Sequence, residues 1–136
     1  MSFFRSGSMS STDRCPLPDA PMTNQIRQYA NNRLGAVYSS LYSFWSARHV
    51  ATTVGQQNIG ARRDAYSVIL FNGEATQVLT NDFTSSPDQL LGVVLRTRAG
   101  GGTNFAAALR TGQAVMEQKW NTERFVPDLV YWYRPL

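Results

Sequence analysis

The chain has 136 residues, one ordinary domain's worth, and its 43% hydrophobic and 16% charged content places it among globular rather than disordered chains. Its formal net charge of +4 comes from twelve arginines and one lysine set against nine acids. The arginines are scattered and no aromatic-basic motif accompanies them, so nucleic acid is not an expected partner. No apolar run reaches the roughly 18 residues of a membrane span, and "MSFFRSGSMSS" lacks the apolar centre of a signal peptide. The expectation is therefore a cytoplasmic protein without membrane contact. A single cysteine, Cys15, excludes an internal disulfide, and a single histidine, His49, excludes histidine-based zinc sites. Cys15 is read as an exposed bystander and His49 as a solvated residue at a helix end. No nucleophile elbow accompanies either.

In chain order, "SSTDRCPLPDAPMT" (10–23) holds three prolines among small polar residues and reads as a long loop. From Asn24 to Arg48 the residues Ile26, Tyr29, Leu34, Val37, Leu41, Phe44 and Trp45 recur at helical steps. They predict one long helix with a buried stripe, capped by Thr23 or Asn24. "TTVGQQNIGARR" follows as a polar, glycine-punctuated loop. "DAYSVILF" (64–71) is an apolar run of strand length that predicts a central strand buried on both faces. "NGE" turns it into "ATQVLT", and the pair reads as a hairpin.

Ser86 as N-cap, Pro87 at the first helical position and Asp88 in the first turn predict a helix running to about Thr97. A further helix is expected from about Phe105 to Trp120, burying Ala108, Leu109, Gly112, Val115 and Met116. "TERFVPDLVYWY" reads as a closing strand with Pro127 at its start or on an edge. Helices alternating with buried strands argue an α/β fold with a helix-covered sheet, whose ligands sit at the carboxyl ends of strands.

Two loops could occupy that edge, "SGSMSS" near the start and "AGGGTNFAAAL" (99–109). Three glycines running into a helix suggest a close backbone approach or positive φ. A helix start after glycines can cradle a phosphate, but a nucleotide-binding loop needs Gly-Lys-Ser/Thr and "GGGTNF" has no lysine. Hydroxyl-bearing residues at such loops either cap a helix or offer oxygen to a divalent cation.

Taken together and in this order, "SGSM", "DAYSVILFNGEA" and "GGGTNFAAAL" resemble a von Willebrand factor type A domain, similar to those of large intracellular fungal proteins. The resemblance runs from residue 6 to about 126 and implies a single, partial domain over 1–136 with an incomplete Rossmann-like sheet covered by helices. It also implies a non-catalytic protein-binding module built on a metal-ion-dependent adhesion site, usually filled by Mg2+. By that likeness Ser6, Ser8 and Thr103 fall on the hydroxyl ligands.

Both ends depart from the pattern. Phe4 stands where the family places its first aspartate, and Asp128 lies too early to replace the last one. The expected site thus keeps its hydroxyl half and lacks its acid half, so Mg2+ binding is expected to be weak or lost. Asp13 and Asp19, in the loop after "SGSM", are the acids near enough in sequence to approach it. The resemblance further suggests a truncated or mis-joined product, and a fragment without independent activity is the alternative reading. A phosphate- or nucleotide-binding enzyme is a more distant one.

Overall fold

The computed structural model describes residues 9–54 and 64–122. The elements are α1 (Thr23–Tyr29), α2 (Arg33–Val54), β1 (Tyr66–Phe71), β2 (Ala75–Asp82), α3 (Pro87–Val94) and α4 (Phe105–Thr122). The loop at 10–23 is present and tightly pinned. Its Pro16 is fully buried, and Arg33 grips Asp13 through both guanidinium Nε and Nη2.

The single helix expected over 24–48 is two helices. Ala30–Asn32 interrupt the repeat, and Asn32 starts the second helix by accepting the Gly35 N–H at its side-chain oxygen, 3.1 Å. A Cβ on Gly35 would strike the Ala30 carbonyl oxygen directly, so the elbow needs glycine at that position. Neither Thr23 nor Asn24 caps α1. Met22 occupies the N-cap position at φ 62° with no side-chain cap, and the Thr23 hydroxyl lies within reach of the Leu17 and Ala20 carbonyls instead. The second helix also continues past Arg48 to Val54.

The strand pair is an antiparallel hairpin, the two strands found among the described residues. Its register slips twice, between Tyr66 and Val68 and between Val68 and Ile69. Asn81, at φ 49°, takes up one irregularity, and its N–H donates to the Ser67 hydroxyl at 2.9 Å.

Alternation along β1 divides its side chains between two helical layers. Val68 and Leu70 pack against a core formed by Ile26, Leu34, Tyr38, Trp45, Leu79, Leu90, Leu91 and Val94. Tyr66 joins that side, with ring centroids 6.2 Å from Phe44 and 6.1 Å from Trp45. Ile69 reaches toward α4 at Gly112, and Phe71 meets Phe105 at 5.3 Å. The helix-covered hairpin therefore agrees with the α/β expectation. One face of the strand (Tyr66, Val68, Leu70) is half-buried and the other leaves Ser67 and Phe71 exposed, short of the fully covered centre its apolar run predicts.

Helix α3 begins as its residues dictate. Ser86 accepts the Gln89 N–H, and the Gln89 side chain accepts the Ser86 N–H in return, a complete capping box worth about 1 kcal/mol. The helix ends at Val94, and turn-type bonds carry the chain on to Thr97. On α4 the expected buried face is only partly right. Val115 is buried, whereas Leu109 and Met116 are 74% and 49% exposed and form, with Phe105, an outward apolar flank.

Candidate functional site

The glycine run closes on the hairpin turn at the carboxyl end of β1. The turn is built by Asn72, whose N–H donates to the Glu74 carbonyl at 2.8 Å while its Oδ1 accepts the Glu74 N–H at 2.9 Å. Gly101 sits at φ 84°, a left-handed conformation that favours glycine. A Cβ there would lie 2.9 Å from Asn72 Nδ2 and 3.0 Å from Asn72 Cβ and Cγ. The three-glycine stretch thus makes a close approach to another part of the same chain.

Asn104 supplies the second anchor. Its N–H donates to the Asn72 carbonyl at 2.7 Å, its Nδ2 donates to the Gly73 carbonyl at 3.3 Å, and its Oδ1 accepts the Ala107 N–H at 3.0 Å. The last bond makes Asn104, not Thr103, the N-cap of α4. Thr103 is exposed between the two anchors. The Asn104 N–H and the Ala107 N–H, two donors that a phosphate at this helix start would use, are already committed.

Of the predicted ligands, Ser6 and Ser8 lie outside the described residues, as do Phe4 and Asp128, so Thr103 alone is placed by the structure. Asp13 does not converge on it. Its carboxylate is taken by the Arg33 guanidinium and the Ser11 hydroxyl, which hold its pKa well below the usual carboxylate range. Among the described residues no three His, Cys, Asp or Glu side chains gather as a metal site. Mg2+ wants oxygen ligands with one or two carboxylates among them. Among the described residues Thr103 offers one exposed hydroxyl.

At the other end of β1 a cavity of about 330 Å³ is lined by Trp45, His49, Asp64, Tyr66, Phe83 and Leu90, with hydroxyls at its rim. Its acid is committed, because Arg48 Nε donates to Asp64 at 2.6 Å, which lowers the Asp64 pKa. The Tyr66 hydroxyl donates to the same carboxylate at 3.3 Å. His49 is exposed, as expected, but it lies within α2, which runs on to Val54, rather than at a helix end. Cys15 departs from the bystander reading, since it is half-buried with Sγ 3.4 Å from the Thr12 carbonyl oxygen and 3.6 Å from that of Asn31.

Sequence reasoning passed over Asn72 and Asn104 as site residues. A usable signal was there for Asn104, because asparagine immediately before a helix is a preferred cap. No sequence signal announces that the same residue reaches the hairpin turn.

No helix among the described residues is long and apolar enough to cross a membrane. No curated protein and no solved structure gives a significant match to the chain. A family model for the von Willebrand factor type A domain matches residues 5–127, which takes in the hairpin, the glycine loop and the helices on both sides of the sheet. The chain belongs to the von Willebrand factor type A domain family.

Proposed function

We propose that this chain is a non-catalytic protein-interaction module whose adhesion site is degenerate. Domains of this family commonly mediate protein interaction. The observation that carries the reading is the placement of Thr103, exposed at the carboxyl end of β1 on a loop tied to the hairpin. The site consists of that hydroxyl together with Ser6 and Ser8. Phe4 brings no charge where the family's likeness calls for an acid, and Asp13 is spent on Arg33. Three hydroxyls leave the double charge of Mg2+ uncompensated, so the module works without a tightly bound ion. A single half-buried thiol fits a reducing, cytoplasmic setting.

Calorimetric titration with Mg2+ tests the claim. The expected result is no saturable binding at micromolar concentrations. Micromolar affinity that is abolished by Thr103→Ala would overturn it.

The exposed Phe105, Leu109 and Met116 favour a second reading, a chain without independent activity. A cooperative melt from a monomer argues against that reading. Soluble aggregate, or the lack of any transition, argues for it.

A further inference from the structure

We propose that Asn72 and Asn104 are positioning residues for the Thr103 loop, holding it in one geometry without help from a metal ion. The inference rests on the reading of Thr103 as the ligand-facing hydroxyl of this site.

The geometry is that of a clamp with both jaws on one turn. Gly101 passes the Asn72 side chain closely enough that an added Cβ would lie 2.9 Å from Nδ2, and Asn104 bonds the Asn72 carbonyl through its backbone N–H and the Gly73 carbonyl through Nδ2. Thr103 lies on the short arc between these two anchors, one residue from the second. Consecutive Cα atoms are about 3.8 Å apart, so fixing residues 101 and 104 leaves Thr103 little room to wander.

Capping does not account for this arrangement. An N-cap needs only the bond from the Ala107 N–H to Asn104 Oδ1. The amide Nδ2 bond to Gly73 and the left-handed Gly101 add nothing to helix α4. They cost backbone freedom, and what they return is a fixed position for an exposed hydroxyl. Preorganisation of this kind lowers the ordering cost of binding a partner. It also makes the hairpin turn and the glycine loop one rigid unit at the carboxyl end of β1.

Replacement by serine separates the two roles. In Asn104→Ser the hydroxyl still caps α4 and the backbone N–H still bonds the Asn72 carbonyl, but the Nδ2 donor to Gly73 is gone. Asn104→Ala loses both the cap and that donor. The measurement is backbone 15N relaxation of the full chain in EDTA, read beside the thermal melt of each variant.

In the wild type, residues 101–104 are expected at order parameters near the rigid value of about 0.85. In Asn104→Ser, residues 101–103 are expected to fall toward about 0.6 while the Ala107 amide keeps its order. The serine variant should melt close to wild type, and the alanine variant clearly below it. Two results overturn the proposal: a wild-type loop already mobile in EDTA, or a serine variant as rigid as wild type. Micromolar Mg2+ binding, which overturns the proposed function, leaves these relaxation outcomes unaffected, so the two failures are told apart.

Discussion

Gly101→Ala tests the closest contact in the loop. At φ 84° an L-residue costs about 1–2 kcal/mol more than glycine. The new methyl would lie 2.9 Å from Asn72 Nδ2 and 3.0 Å from Asn72 Cβ and Cγ. Relieving the Nδ2 and Cγ contacts swings the Asn72 side chain away from the bond its Oδ1 accepts from the Glu74 N–H, worth about 0.5–1.5 kcal/mol, while the Cβ contact needs a small backbone shift. Alanine also restricts the unfolded chain, which returns about 0.4–1 kcal/mol. The balance is a destabilisation of about 0.5–3 kcal/mol.

Gly102 is the internal control. It is the next residue, its φ is not left-handed, and a Cβ there meets nothing within 4 Å. Gly102→Ala is expected to be neutral or to stabilise by up to about 1 kcal/mol. Urea unfolding at constant m-value measures both variants. Repeating Gly101→Ala in an Asn72→Ala background removes the Nδ2 and Cγ contacts and the Glu74 bond but keeps the contact to Cβ, so part of the cost should disappear, a coupling of about 0.5–1.5 kcal/mol. Equal costs for the two glycines would refute the argument that Gly101 is held by its φ and by Asn72.

Three further outcomes follow from other parts of the fold. Ser86→Ala removes the hydroxyl that accepts the Gln89 N–H, leaving the bond from the residue-86 N–H to the Gln89 side chain, and should cost about 1 kcal/mol in denaturant unfolding, with Ser86→Asp restoring most of it. Gly35→Ala drives a methyl into the Ala30 carbonyl at the α1–α2 elbow and should cost about 3 kcal/mol or more, read as a lowered urea midpoint. The buried Tyr38 hydroxyl has its pKa pushed up to about 12 from an ordinary value of 10.0 by burial. Between those two values the unfolded state has lost this proton and the folded state has not. Its contribution is therefore whole below pH 10 and is lost as pH rises toward 12, with a slope of at most about 1.4 kcal/mol per pH unit. Tyr38→Phe should flatten that share of the alkaline decline in a series of melts.

Much of the architecture was legible because local rules decided it. Ser86, Pro87 and Asp88 carry every signal of a helix start, and α3 begins there. "DAYSVILF", "NGE" and "ATQVLT" encode a hairpin through apolar content and turn chemistry, and the strands pair as expected. The family, too, was readable from three short motifs whose order spans most of the chain.

The misreadings arose where two segments meet. The apolar repeat from Ile26 to Trp45 hides the elbow, because the break depends on Gly35 passing the Ala30 carbonyl, a contact no periodicity reports. Leu109 and Met116 satisfy a helical stripe in sequence, yet α4 lies on the hairpin through Gly112 and leaves them outside.

By itself the sequence determined the hairpin, the helices after it and the family, and it named Thr103 as a candidate hydroxyl, while the expected closing strand lies outside the described residues. Propensity, capping and turn chemistry act within a few residues and are written in the residues themselves. Only the tertiary structure decided what the glycine run approaches: the hairpin turn, through Asn72 and Asn104. Residues some thirty positions apart in the chain meet there because β1 delivers its carboxyl end to the start of α4. That meeting turns a run of small residues into a held loop, and it depends on how the layers pack rather than on any local pattern.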